Sequence, residues 1–304
     1  MLDSGNLLFK PRRSGQTVSS TDQAKATIIA QTFIAGQNVV AAVGSNDLVA
    51  GSSFLKKLEE KYSFHFLSAN LAAAGADKPI FQPFTFKMID HDFHVAIIGL
   101  TGRPLSHLPS EQFSLLSWET ILPKLITQLS SHADMILLLS NLPSQENEKI
   151  AKKFDAINII FQSGNVSRGN SPPYLVNNAL ICQTTTRGKY QGTLEIKWNE
   201  SRKWQKHAKI RIELKQIKRQ LQLVTQKIEQ SKQVDSGTKR HENRLLGLQR
   251  LKQKLEGQQK QLQQQLNHNK SYQGATYNNR FIALSSKVED DPQTVQRIRA
   301  AGIR

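Results

Sequence analysis

The chain has 304 residues, enough for one sizeable core and an accessory element, and its 38% hydrophobic content is low for a wholly globular chain. Of the formal net charge of +17, +15 falls in residues 201–304, where 23 Lys and Arg face 8 Asp and Glu, so the sequence divides into two parts of different character. A single cysteine excludes an internal disulfide and a Cys-based zinc site, and the lack of any run of about 18 apolar residues excludes a membrane-spanning helix.

Residues 1–200 alternate short apolar runs with amphipathic segments, the pattern of an α/β sandwich. A motif, Asp3-Ser4-Gly5-Asn6, follows Met1 at once, with no signal peptide and no first strand before it, which suggests a missing upstream segment. A helix is predicted over Thr21–Ile34, with Ser20 or Thr21 as N-cap and Gly36 as stop. Val39–Val43 reads as a buried strand, Ser53–Lys61 as a short helix and Phe64–Ala69 as a strand. A β-hairpin is predicted from Phe84–Ile89 and Phe93–Leu100 about a turn at Asp90-His91-Asp92. Ser117–Ser130 is predicted helical, with Ile121, Leu122, Leu125 and Leu129 on its apolar face. Strands at Met135–Leu139 and Ile157–Phe161 flank a helix at Gln145–Phe154, and short strands at Leu175–Val176, Ala179–Thr184 and Gly192–Trp198 close the domain. Cys182 lies in an apolar run and reads as a buried, inert thiol.

From residue 203 the character changes. Ile210, Leu214, Ile217, Leu221, Val224 and Ile228 follow heptad spacing, and Leu245, Leu248, Leu251, Leu255, Leu262 and Leu266 continue an apolar spacing after a turn-like break at 234–238. Folded antiparallel about that break, one register pairs Ile228 with Leu245, Val224 with Leu248, Leu221 with Leu251, Ile217 with Leu255 and Ile210 with Leu262. The expectation is an antiparallel coiled-coil hairpin whose arms, near 30 residues each, make a rod roughly 45 Å long. The domain reading is therefore 1–200, a basic hairpin at 203–268, and a polar tail at 269–304 with one helix at Pro292–Ala301.

The loops of the first part carry a resemblance. Leu2-Asp3-Ser4-Gly5-Asn6, Ala42-Val43-Gly44-Ser45-Asn46-Asp47, Leu67-Ser68-Ala69-Asn70-Leu71, Ile97-Ile98-Gly99-Leu100-Thr101, Leu137–Leu142, Ser163-Gly164-Asn165-Val166-Ser167 and Thr186–Gly192 occur in that order at fitting intervals. Together they resemble the loop motifs of the calcineurin-like metallophosphoesterases, in the 5′-nucleotidase and UDP-sugar hydrolase branch. The resemblance implies a layered α-β-β-α metallophosphoesterase sandwich, here without its first strand. It also implies a chemistry in which two divalent metals of the Zn or Mn type activate water against a phosphoric ester.

The residues at the implied ligand positions depart from that chemistry. The resemblance assigns the bridging carboxylate to Asn6, an amide ligand to Ser45, the transition-state histidine to Asn46, its acidic helper to Val49, and three histidine ligands to Asn141, Asn165 and Ser167. Amides and hydroxyls are neutral, weak ligands that do not offset the dehydration of a dication. No catalytic residue, metal or cofactor is therefore expected. The eight histidines show no spacing that suggests a replacement cage, and His65, mid-strand beside a core run, reads as structural.

Two readings follow. One is a degenerate phosphoesterase domain acting as a binding or scaffolding module. The other is a truncated but working metal-dependent phosphohydrolase for nucleotides or UDP-sugars. Arg187 and Lys189 are candidate anion contacts. The 203–268 hairpin is a candidate for an acidic surface, whether anionic lipid, polyanion or acidic protein, although it lacks the interleaved aromatics of a base-stacking surface. The resemblance suggests a periplasmic or other extracytoplasmic location.

Overall fold

The structure, a computed structural model, describes the chain except residues 13–15, 36–38, 90–91, 104–111, 164–169, 186–187, 206, 234–237, 269–273 and 304. The side chains of 207–209, 211–212, 233, 240 and 267–268 are likewise outside the described part. The chain forms two compact units, Met1–Glu195 with Asn278–Arg304, and Ile196–Tyr277.

The first unit is built on two sheets. Strands β1 (Leu2–Asp3), β2 (Val39–Ala42) and β3 (Phe64–Leu67) form a parallel three-stranded sheet in that order. Helices α1 (Ser20–Phe33) and α2 (Ser52–Lys61) bury Ala26, Ala30, Leu55 and Leu58 in one core with Val39, Ala41, Phe64 and Phe66 of this sheet. The second sheet has six strands: β5 (Phe84–Ile89), β6 (Phe93–Leu100), β8 (Met135–Ser140), β9 (Ile157–Gln162), β10 (Ser171–Val176) and β11 (Ala179–Gln183), in the order β10-β11-β9-β8-β6-β5. Its centre, β6, β8, β9 and β11, is parallel, and β5 and β10 are antiparallel edges. Helices α3 (Trp118–Ser130) and α4 (Ser144–Lys153) place Leu122, Ile126, Leu129, Ile150 and Ala151 in a second core with Ile98, Leu100, Ile136, Leu138 and Ile160. Successive strand residues face opposite sides. Val40, Ala42, Ile97, Leu137 and Leu139 accordingly turn away from these two cores, yet all are buried. A short antiparallel pair, β4 (Leu71–Ala73) and β7 (Phe113–Leu115), sits beside them. Cys182 on β11 is 6% exposed, and burial pushes its thiol up to about 12.

Most predicted elements appear within a residue or two, and both strands of the β5–β6 hairpin have the predicted ends. Its turn residues Asp90 and His91, and the helix stop Gly36, lie outside the described residues. Several expectations need correction. The N-cap of α1 is Ser19, whose hydroxyl accepts the Asp22 N–H while the Asp22 carboxylate accepts the Ser19 N–H, a reciprocal cap one position earlier than expected. Leu2–Asp3, read as the opening of a loop motif with no strand before it, is itself a strand, because pairing with Val40 and Ala41 uses only backbone groups. His65, read as structural, is exposed on β3, an edge strand of its sheet. The polar tail contains β13 (Thr276–Ala283), paired with β12 (Tyr190–Lys197), as well as the helix α7 (Pro292–Ala300), which packs on α1 with Thr294 Oγ1 3.2 Å from Thr32 Oγ1.

The second unit contains α5 (His207–Gln233) and α6 (Lys239–His268), which pack against each other. Val224, Ile228 and Leu255 are buried together, with Ile217, Leu221, Leu245 and Leu248 around them. His241 Nε2 lies 2.8 Å from Ser231 O, so the start of α6 meets the end of α5. Leu251, expected opposite Leu221, is instead 43% exposed. Lys252, the less exposed neighbour, takes the heptad position between Leu248 and Leu255 and forms an i,i+4 pair with Glu256 at 3.8 Å. Where the sequence offers Leu and Lys side by side, the phase is set by Leu245, Leu248 and Leu255 together. At the base of this unit Trp204 packs edge-on against both Trp198 and Tyr277.

Candidate functional site

The loops at the carboxyl ends of β1, β2, β8 and β9 converge. This is the usual place for a site in an α/β sheet, because parallel strands deliver their following loops to one edge. Asp3-Ser4-Gly5-Asn6 leaves β1. Gly44 leads from β2 into a short 3-10 helix, Ser45–Ala50, while Asn141 follows β8 and Ser163 follows β9.

Asp47 organises the first two loops. It is fully buried, and its carboxylate accepts the backbone N–H groups of Asn6 (2.7 Å), Leu8 (2.9 Å) and Gly44 (3.0 Å). Burial pushes this carboxyl up to about 6, against the pull of its backbone donors. Asp3 receives the Gly5 N–H at 2.8 Å. Burial drives Asp3 up to about 7, the Gly5 donor opposes the rise, and the nearby Asp47 charge adds to it.

The asparagines tie the loops together. Asn6, at φ 64°, turns its Oδ1 to the N–H of Asn46 at 2.8 Å. Asn tolerates this left-handed backbone better than most residues. Gly44 lies so close to Asn6 that a Cβ there would overlap both its main chain and its amide. Asn141, 2% exposed, accepts the Ser45 N–H on Oδ1 at 3.3 Å and donates from Nδ2 to Ser163 Oγ at 3.0 Å. Ser163 Oγ then donates to Ser4 O at 2.6 Å, which closes a ring of contacts from β9 back to β1. The motif at 67–71 meets the motif at 97–101 behind this ring. Asn70 and Thr101 exchange two bonds of 2.8 Å, Ser68 Oγ lies 2.7 Å from Thr101 Oγ1, and Thr101 Oγ1 donates to Val43 O at 2.7 Å.

The structure thus brings together Asn6, Ser45, Asn46 and Asn141. Asn165, Ser167 and Arg187 lie outside the described residues, and Lys189 is exposed just before β12. Val49 packs against the α1–α2 core rather than standing in the ring. Reading the sequence by ligand positions passed over Asp3 and Asp47, the two carboxyls of the cluster. The available signal was an Asp three residues after Gly44, placed to cap a helical turn.

Among the described residues, no three His, Cys, Asp or Glu side chains are grouped so that they could hold a metal ion. The carbonyl oxygens of Asn6 and Asn141 already accept backbone N–H groups, and Asp47 already accepts three. This described donor set does not fit a pair of divalent cations, which need charged or imidazole ligands free to coordinate.

Two α/β sheets with this convergence of loops define a calcineurin-like metallophosphoesterase fold, of the kind found in 5′-nucleotidases. A 5′-nucleotidase precursor from Thermus thermophilus is similar over 66% of this chain and 42% of its own length, at 21% identity and a TM-score of 0.56. The NAD nucleotidase of Haemophilus influenzae matches 66% of this chain and 38% of its own, at 18% identity and a TM-score of 0.53. The calcineurin-like phosphoesterase YfkN of Bacillus subtilis matches 99% of this chain and 82% of its own, at 14% identity and a TM-score of 0.57. The chain therefore spans less than half the length of the two nucleotidases. No protein-family profile matches it, and neither does any curated protein sequence. No helix among the described residues is long and apolar enough to cross a membrane.

Proposed function

We propose that the first unit is a non-catalytic binding or scaffolding module on a phosphoesterase fold, layered α-β-β-α, and that α5 and α6 form an antiparallel coiled-coil hairpin serving as its basic interaction arm. One observation carries the first half: the side chains at the implied ligand positions Asn6 and Asn141 are neutral amides whose oxygens are engaged by the backbone of Asn46 and Ser45. A site closed on itself in this way positions loops and does not activate water. Neither two divalent metals nor another cofactor belongs to this reading. The test is elemental analysis of purified protein after incubation with Zn²⁺ and Mn²⁺, together with phosphate release from AMP and a generic phosphate ester. Two metals per chain with metal-dependent turnover would overturn it.

A second reading, a phosphohydrolase acting on nucleotides or UDP-sugars, is favoured by the likeness to a 5′-nucleotidase and an NAD nucleotidase. It is also favoured by Asp3, a carboxyl that titrates near 7 within the cluster. The same experiment separates the two readings, and calorimetric titration with AMP separates retained nucleotide binding from its loss. An extracytoplasmic location accords with either.

For the arm, each of α5 and α6 carries seven Lys or Arg against two Glu. Such a field favours an acidic partner, and its attraction weakens as salt shortens the screening length to about 8 Å at physiological ionic strength.

A further inference from the structure

The charges of the helix pair are not spread evenly around it. The seam residues fix the heptad frame: Leu214, Leu221 and Leu245 mark one seam position, and Val224, Leu248 and Leu255 the other. In an antiparallel pair, the positions that flank the seam on the same lettered side of each helix lie on one common face. One face then carries Leu223 and Lys227 from α5, and Arg244, Leu251 and Lys254 from α6, all exposed. Among its described residues between 220 and 258 it holds no carboxylate, glutamines fill much of the rest, and Glu213 lies on it further along α5. Glu229, Glu242 and Glu256 all fall on the other face, which mixes both signs. Leu223 is 51% exposed and Leu251 43% exposed, and the register that pairs Val224 with Leu248 sets them at the same level, flanked along the rod by the three cations.

Resting on the reading of the helix pair as an antiparallel basic arm, we propose that its acidic partner is an anionic lipid bilayer, met by the Leu223–Leu251 face. Phosphate groups of a polyanion would engage the lysines and arginines but would give the two leucines no apolar environment. A bilayer surface supplies both, with negative headgroups for Lys227, Arg244 and Lys254 and the acyl boundary for the leucines. Three of the four glutamates of the two helices fall on the opposite face, and the fourth, Glu213, lies about 15 Å along α5 from Leu223, so little like-charge repulsion meets an anionic surface at the level of the leucines. The arm lies along the surface, since among the described residues neither helix is long and apolar enough to cross the bilayer.

The experiment is co-sedimentation of the full chain with phosphatidylcholine vesicles, with and without phosphatidylglycerol, beside binding to immobilised heparin as a polyanion. The expected result is binding that requires phosphatidylglycerol and falls as salt rises. The double variant Leu223→Ser/Leu251→Ser should weaken vesicle binding roughly tenfold while heparin binding is kept, because two partly inserted leucines are lost and no charge is. Both leucines are exposed, so circular dichroism and the unfolding midpoint should not change; Leu246→Ser, on the other face, is the matched control. Lys227→Gln/Arg244→Gln/Lys254→Gln should weaken both kinds of binding. Undiminished vesicle binding by the leucine double variant, or heparin binding without vesicle binding, overturns the bilayer proposal and leaves the acidic-partner reading standing. Absence of binding to either material at low salt overturns both.

Discussion

Asn6 Oδ1 accepts the backbone N–H of Asn46 at 2.8 Å, so two positions that the metallophosphoesterase motifs would give to a bridging carboxylate and a histidine are bonded directly to each other. Asn6 holds this bond from a left-handed backbone at φ 64°. Replacing it tests both features. Asn6→Gly should lose the bond alone, about 1 kcal/mol. Asn6→Ala should lose the bond and add a backbone penalty of about 1–2 kcal/mol. Urea unfolding should rank wild type above Asn6→Gly and Asn6→Gly above Asn6→Ala; equal loss in the two variants would contradict the backbone assignment.

Asp47 holds the cluster through three backbone donors, Asn6, Leu8 and Gly44. Asp47→Asn offers one acceptor oxygen in place of two and leaves buried N–H groups without partners, each costing about 1–3 kcal/mol. A loss of about 3 kcal/mol is expected, measurable as a lowered midpoint in chemical denaturation. Asp47→Ala should cost more still.

The two carboxyls also set a pH dependence. Asp3 at about 7 and Asp47 at about 6 lie above the unfolded value of about 3.9. Between those limits the folded chain holds more protons than the unfolded chain, so stability falls as pH rises. Their contribution is fully present below about pH 4 and is lost as pH climbs through 6 and 7. Denaturation midpoints measured across that window should decline, and Asp3→Asn should flatten the decline. An unchanged slope in Asp3→Asn would remove Asp3 from this account.

The seam of the helix pair gives a contrast between neighbours. Leu255→Ala removes a side chain only 6% exposed and should cost about 2–3 kcal/mol. Leu251→Ala, at 43% exposure, should fall within about 0.5 kcal/mol of wild type. Cysteines at Val224 and Leu248 should crosslink within one chain, and crosslinks formed only between chains would mean an intermolecular coiled coil.

What could be read ahead of the structure depended on how strongly a pattern was forced. The β5–β6 hairpin was legible because two apolar runs flank a turn composition, and α3 because Ile121, Leu122, Leu125 and Leu129 recur at helical spacing. The strand β13 was hidden, since Asn278, Asn279 and Arg280 are poor strand formers held in place by partners on β12: Asn279 Nδ2 donates to Thr193 O, and Asn278 Nδ2 to Glu195. The choice of Lys252 over Leu251 was hidden too, because a local run of Leu and Lys fits two phases and only the facing helix selects one. At the candidate site, motif order placed Asn6, Ser45, Asn46 and Asn141 in one neighbourhood. The bonds that join them, and the role of Asp47 beneath them, depend on loop conformations that no residue spacing encodes.

The only thiol in the chain is sealed inside β11, with burial holding it far from its reactive ionised form at neutral pH. Native protein should therefore resist maleimides and disulfide reagents without any change to Cys182. Every cysteine introduced at the surface then becomes a unique chemical handle, so dyes, spin labels or crosslinkers can be placed on the arm in an otherwise wild-type background. Uptake of label at Cys182 in its turn becomes a built-in reporter that the six-stranded sheet has opened.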